Sequence, residues 1–309
     1  MYGHNNDPWN DIPDGWSLMR WINSEMEARQ PWKISIAEDM QDNEWLTKEV
    51  GPGGAGFDAQ WDAGFVHPIR QAVISGDDRQ RNMFAVRDAI AHRYNGAFER
   101  VIYTESHDED ANGHARVPEE IWPGNADGYF SQKRSTLGAA LVFTVPGIPM
   151  IFQGQEFLED RYFDDHVELD WSKANRYSGI VNLYRDLIHL RRNWFNNTRG
   201  LRGQFLHVHH VNDADKVIAF HRWDQGGPGD DVVVVLNMAN RSYSSYSLGW
   251  PRSGLWKLRF NSDWSGYGPD FGNHFSTDTP AVLGSKDEMP FNGNVAIGPY
   301  SALIFSQDA

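Results

Sequence analysis

Residues 101–110 read VIYTESHDED, a short apolar run that passes directly into a cluster of Glu, His and Asp. A β-branched and aromatic stretch of this length suits a buried strand, and the polar cluster that ends it suits a strand whose C-terminal end opens on a cleft. The same arrangement recurs along the first two thirds of the chain. Ile34–Ala37 runs into Glu38 and Asp39, Phe57–Trp61 into Asp62, Val101–Thr104 into His107 and Asp108, and Ile148–Phe152 into Gln155 and Glu156. Helical segments are predicted near 79–95, 129–144 and 176–193, and another over Asp14–Arg29, where Trp16, Met19, Ile22 and Met26 recur at helical spacing and Pro31 ends the pattern. Strands alternating with helices predict a parallel sheet of βα units. In a βα barrel the polar residues after each strand gather at the C-terminal face, where catalysis is assembled.

Four such units are legible, half of the eight that close a barrel. After Gly200 the pattern changes to β-rich runs at Phe205–Val211, Val217–Trp223, Val232–Asn237, Leu255–Phe260, Asn294–Ile297 and Ala302–Phe305, divided by Gly, Asp, Asn and Pro. The expected fold class is therefore α/β, a partial (truncated) TIM-type βα barrel followed by a C-terminal antiparallel β-sandwich. The expected domains are residues 1–200, catalytic in type, and 201–309, all-β, with the boundary in NNTRGLRGQ at 196–204.

The 309 residues are 40% hydrophobic and 23% charged, ordinary for a chain that buries a real core. There is no cysteine, which excludes disulfides and thiolate metal sites. A formal charge of −14 argues against nucleic acid, which wants a basic face. No apolar run is long enough to span a bilayer, and the first residues show neither the basic start nor the apolar stretch of a signal peptide, so the expected partners exclude nucleic acid and membrane and the default location is cytoplasmic. The aromatic content is unusual: 13 Trp, 11 Tyr and 17 Phe exceed what a core of this size needs. Aromatic faces stack on the C–H faces of sugar rings while Asp, Asn and Gln bond the hydroxyls.

Glu38 and Asp108 stand at strand ends 70 residues apart but two strands apart in a barrel, so both can point into one cleft. Glycoside hydrolysis needs a proton donor to the leaving oxygen and an anionic group facing an oxocarbenium-like transition state, and two such carboxyls beside His107 meet that need. Isolated carboxylates at strand ends also serve as helix caps or ion pairs.

Six segments in order resemble glycoside hydrolase family 13, the α-amylase family. ISIAED at 34–39 is similar to its fifth-strand segment, GGAGFDAQWDAGF at 53–65 to its sixth, YTESHDED at 103–110 to its seventh and GIPMIFQGQEF at 147–157 to its eighth. HVELDW at 166–171 and IGPYSALIF at 297–305 add to the likeness, the latter as the last strand of the family's C-terminal sandwich, and the sixth-strand match is closest among branching enzymes and their amylase-like relatives. The resemblance implies that Glu38 is the general acid/base, Asp108 the transition-state stabiliser and His107 a donor to sugar hydroxyls. Trp61, Tyr103 and Trp9 are the candidate stacking platforms for substrate, with Glu105 and Glu109 either lining the cleft or solvated. Calcium is the only cofactor the resemblance suggests, and most of the loops that bind it in relatives lie in segments not matched here.

The family's nucleophilic Asp belongs to a strand-four segment ahead of the fifth strand. Only 37 residues precede Glu38, and none of them reads as that segment; Asp7, Asp11 and Asp14 sit in loop and helix-start contexts. Three readings follow: an amylase-type hydrolase of α-1,4-glucans, a non-catalytic α-glucan-binding remnant, and half of an enzyme completed by a second copy or by an N-terminal piece. A glucan branching transferase stands beside the hydrolase within the first. A half barrel exposes two sheet edges and an apolar inner face, so a homodimer or higher oligomer is expected.

Overall fold

The computed structural model describes residues 12–111 and 113–309; Asp7, Trp9 and Asp11 lie outside these. Helix α1 (Pro13–Arg29) opens with a proline in its first turn, whose fixed φ suits a helix start. It is docked by hydrogen bonds: Trp16 Nε1, Arg20 and Asn23 Nδ2 donate to the carbonyls of Gly53, Val50 and Ala55 at 3.2, 2.9 and 2.8 Å. Trp16 and Met19 pack on Ala37, Leu46 and Ala55 as the periodicity predicts. Ile22 does not. The polar grip on residues 50–55 rotates it outward with Leu18 and Trp21, and all three are half exposed or more.

The strands β1 (Ile36–Ala37), β2 (Ala59–Trp61), β3 (Arg100–Ile102) and β4 (Ile148–Pro149) pair in parallel and in chain order. Each is shorter than the apolar run that announces it, because the chain leaves the ladder early to form the loops above. Helix α2 (Ala63–Ile74), which carries Pro68 and was not legible as a helix, starts where the Asp62 side chain accepts from Phe65 N at 3.1 Å. Helix α3 (Met83–Ala91) is shorter than the predicted 79–95, since Asn82 caps it through Phe84 N and Ala85 N and a separate single turn precedes it. The short α4 (Val117–Ile121) precedes α5 (Tyr129–Thr144), which spans its expected range, and α6 (Ser172–Arg176) precedes α7 (Ser178–Arg191).

The last third is an eight-stranded antiparallel sheet: β5 (Phe205–Asn212), β6 (Val217–Trp223), β7 (Val232–Asn237), β8 (Tyr243–Trp250), β9 (Gly254–Asn261), β10 (Thr279–Lys286), β11 (Met289–Ile297) and β12 (Ser301–Ser306), ordered β5-β6-β7-β12-β9-β10-β11-β8. Six of these runs were read from sequence. The serine-rich β8 and the proline- and glycine-bearing β10 were not, because neither holds the apolar alternation of its neighbours.

Central strands of this sheet are buried on both faces. Val217, Ala219, Val233, Val235, Leu303 and Phe305 meet Trp250, Trp256, Val295 and Ile297 of the facing strands. The alternate residues Ile218, Phe220, Val232, Val234, Leu236 and Ile304 join one core with Phe65 and Ile69 of α2, Leu141 of α5 and Leu183 and Leu187 of α7. The connecting segment lies flush on the sheet: a Cβ on Gly200 would stand 2.5 Å from the carbonyls of Arg222 and Asp230, and one on Gly203 2.2 Å from that of Trp223.

Lys133 of α5 is fully buried and pairs at 2.5 Å with the equally buried Asp263, which follows β9. Burial drives the Lys133 ammonium below its ordinary value while Asp263 holds the charge in place. Removing one partner of such a pair strands the other charge and costs about 3–5 kcal/mol. Lys133→Met is expected to lower urea-unfolding stability by that order. Lys133→Met combined with Asp263→Leu should recover a large part of the loss if the pair, not its packing, carries it.

Candidate active site

Glu38 follows β1 and His107 and Asp108 follow β3, on either side of β2, so loops at the same end of the parallel sheet deliver all three. His107 Nε2 stands 3.3 Å from Glu38 Oε1 and 3.6 Å from Asp108 Oδ1. The side chains are about half exposed, so the cluster opens to solvent. One ligating atom from each of the three lies within 4.8 Å of the others.

Aromatic rings frame the cluster. Trp61, at the end of β2, is partly exposed and meets His107 edge-on at 5.7 Å between centroids. Phe163 closes the other side at 6.3 Å and rests on Phe152 at 5.2 Å. Tyr103 was expected as a stacking platform, but it is fully buried. Its ring supports Trp61 from 5.1 Å and its hydroxyl donates to Met40 Sδ at 3.3 Å, so strand alternation turns it under the cleft and leaves no face for substrate. Trp9 lies outside the described residues. Phe163 had no sequence signal, since it follows a polar loop with no periodicity.

Beneath the loop that carries His107 and Asp108 lies a buried charge network. Arg70 of α2 donates to the carbonyls of Thr104 at 2.8 Å, Glu109 at 3.0 Å and Ala115, and to Asp110 Oδ1 at 3.3 Å. One guanidinium thereby grips both ends of the loop. Arg116 pairs with Glu105 at 3.5 Å and donates to the Gln153 carbonyl at 2.7 Å, tying this loop to the one after β4. Glu105 and Glu109 thus neither line the cleft nor stand in solvent. Glu105 is fully buried, accepting from Val117 N at 2.8 Å, and Glu109 is bound by His67 and Arg70 at 3.3 and 3.7 Å. The His67 hydrogen bond holds the Glu109 carboxyl below its ordinary value, and the same bond raises the His67 imidazole.

Burial, and then repulsion from Glu105, push Asp110 up to about 9 against the pull of Arg70. Glu105 Oε2 and Asp110 Oδ2 are both buried without a hydrogen-bond partner, which suits a proton retained on this pair: it removes buried charge and makes an orphan acceptor a donor.

Calcium takes six to eight oxygen ligands. Glu38, His107 and Asp108 offer two carboxylates and an imidazole nitrogen already turned toward both, and Asp62, in a second acidic group with Asp42 and His92, is committed to Arg100 and to its helix cap. Neither set fits calcium, and no step is routed through it.

Because the folded-state value of Asp110 is raised, its proton stabilises the fold below the ordinary value of 3.8, and that stabilisation is lost as pH climbs toward about 9. Asp110→Asn, which imitates the protonated acid, is expected to keep stability at pH 7 within about 1 kcal/mol of the parent. It should also flatten the decline in melting temperature between pH 4 and 9; an unchanged slope would show that Asp110 is ionised in the fold.

Residues 207–308 match the family model described as the α-amylase C-terminal all-beta domain. The chain is 29% identical over 271 residues to a 1,4-alpha-glucan branching enzyme of Xanthomonas campestris pv. campestris, covering 82% of this chain and 34% of that protein. A branching enzyme of Nitrosococcus oceani is 28% identical over 93% of this chain and 38% of its own length. The chain therefore spans little more than a third of these curated relatives. Among solved structures, the pullulanase of an Anoxybacillus species superimposes with a TM-score of 0.65 at 18% identity, over 94% of this chain and 42% of that one. The α-amylase from H. orenii does so at 0.61 and 16% identity, over 99% and 60%. With the strand-end acid cluster and the all-β domain in the family's order, the chain corresponds to a C-terminal part of glycoside hydrolase family 13, the α-amylase family.

Proposed function

We propose that this chain carries the acid/base side of an active site that cleaves α-glucan chains, built on part of a (β/α) barrel wall. The observation that carries the reading is the convergence of Glu38, His107 and Asp108 within 4.8 Å beside the ring of Trp61. Parallel strands paired in chain order support the barrel wall, since a doubly wound sheet reverses its order at a switch point. A sugar ring resting on Trp61 brings its glycosidic oxygen to Glu38, which gives up its proton as the C1–O bond breaks. Asp108 faces the positive charge that develops on the ring, and the Nε2–H of His107 donates to a sugar hydroxyl while screening one carboxylate from the other. Glu38, now ionised, takes the proton from the incoming hydroxyl in the second half of the reaction. The carboxylate that attacks C1 comes from outside this cluster, from a further segment of the barrel in the same or a second chain.

The incoming hydroxyl decides between hydrolysis by water and transfer to another glucan. Similarity to proteins named branching enzymes over four fifths of the chain or more supports transfer, whereas the amylase and pullulanase likenesses rest on fold alone. Reducing-sugar release from soluble starch, read beside loss of iodine stain, separates the two. Glu38→Gln removes the titrating proton and is expected to lower either activity by about 10²–10⁴-fold, the scale of general acid/base catalysis, and Asp108→Asn by a similar order. Starch binding that persists in a parent chain without activity would instead favour the glucan-binding remnant.

Leu18, Trp21, Ile22, Trp32 and Ile34, from α1 to β1, are large apolar side chains left half exposed or more, with Trp32 75% exposed. We propose that another barrel segment, supplied by a second chain, covers this face. Light scattering of the purified chain at micromolar concentration is expected to give at least a dimer, and a monomer there would count against association through this face.

A further inference from the structure

The seam between the helices and the β-sandwich holds a cavity of about 450 Å³. Small-molecule pockets have this size and favour such junctions. Its walls include Asp78 ahead of α3, Trp122 after α4, Phe130 and Arg134 of α5, Asn240 after β7 and Tyr300 before β12. None of these belongs to the Glu38–His107–Asp108 cluster.

Trp122 is 42% exposed, and Phe130 braces it from 5.6 Å. An indole steadied by a second ring and by Gly128, yet 42% exposed at the cavity, presents apolar surface that the fold itself does not use. Tyr300 supports Phe130 edge-on at 6.2 Å. Its backbone sits at φ 43, a left-handed conformation that a bulky residue adopts only under constraint. The constraint is visible: its hydroxyl donates to Asp78, its amide donates to the Ala239 carbonyl at 3.0 Å, and the guanidinium groups of Arg81 and Arg134 lie 5.1 and 5.7 Å from its ring. Strain maintained in this way marks a wall whose orientation matters. Asp78 accepts from Tyr300, from Arg81 and from Asn240 N at 2.8 Å, yet stays about a third exposed and keeps acceptor capacity toward the cavity. Asn240 is exposed beside it.

The chemistry of the walls selects the ligand. An anion meets Asp77 and Asp78, while Arg134 is turned to the carbonyls of Ser75 and Ile121. A wholly apolar ligand would strand the open carboxylate. A neutral polyol with an apolar ring face satisfies both surfaces, stacking on the indole while its hydroxyls donate to Asp78 and exchange bonds with the Asn240 amide. We propose that this cleft is a second α-glucan-binding site, which seats one glucosyl ring on Trp122 and lets the rest of the chain leave through the open side. The choice of α-glucan among neutral polyols rests on the function proposed above.

Calorimetric titration of the whole chain with maltoheptaose tests it, comparing the parent with Trp122→Ala, Asn240→Ala and Trp61→Ala. Two classes of site are expected in the parent. Trp122→Ala should leave only one, weakening the other at least about tenfold, the scale of truncating an aromatic anchor. Asn240→Ala should weaken the same class severalfold, and it keeps the test open if the tryptophan variant fails to fold. Trp61→Ala should remove the complementary class. Binding unchanged in both Trp122→Ala and Asn240→Ala but lost in Trp61→Ala overturns the second site and leaves the active-site reading standing. Binding lost in Trp122→Ala and untouched in Trp61→Ala supports the cleft and counts against the active site. A parent that takes up no maltoheptaose overturns both.

Discussion

The structure depends on one constraint: strands β6, β7 and β12 are buried on both faces. An antiparallel sheet with one wet face alternates apolar and polar residues, whereas Val232–Leu236 is apolar throughout and wholly buried. One set of its side chains closes the sandwich on Trp250 and Trp256, and the other fuses with α2, α5 and α7. The helical layer therefore packs on the antiparallel sheet from one side, while the other side closes on a core of strand residues alone. Arg222 shows how tightly the join is sealed. It is fully buried with its guanidinium on the carbonyls of Thr144, Leu201, Gly203 and Phe205, and burial drives it well below its ordinary value.

This rigid base supports a loop whose functional tips are open to water. The side chains of His107 and Asp108 are about half exposed, yet Glu105, Ser106 and Asp110 close by on either side are buried. Arg70 holds the carbonyls of Thr104, Glu109 and Ala115, and Arg116 donates to that of Gln153, so these backbone positions are fixed without contacts among the exposed groups. Burial raises both Glu105 and Asp110 against the pull of Arg116 and Arg70, which favours a proton on this pair. The Glu38–His107–Asp108 cluster is left about half exposed above this network.

The openness of the same site bears on what it does. Preorganised electrostatics act most strongly where water is excluded, and Glu38 and Asp108 stand about half in solvent, with the rings of Trp61 and Phe163 beside His107. Closing such a site calls for further surface, and the apolar side chains exposed around α1 and β1 offer a face for it.

Several features were legible before any coordinates. The runs at 217–223 and 232–237, the helix over 129–144 and the switch from apolar strand to acidic loop at Glu38 and at His107–Asp108 are local patterns, and local patterns survive in sequence because they report which neighbours along the chain share a face. Helix α2 escaped notice because Pro68 and Gly64 break its pattern while Asp62 and the packing of Phe65, Ile69 and Val73 hold it in place. Tyr103 and Ile22 were assigned the wrong surroundings because strand and helix periodicity separates faces without saying which one meets solvent. The clamp by Arg70 bridges 34 to 45 residues of sequence, and the Trp122–Tyr300 cleft joins segments still farther apart. The sequence by itself determined which residues can do acid chemistry and which runs must be buried. Which of them meet was left to the tertiary structure, because desolvation and side-chain contact depend on distance in space and not on distance along the chain.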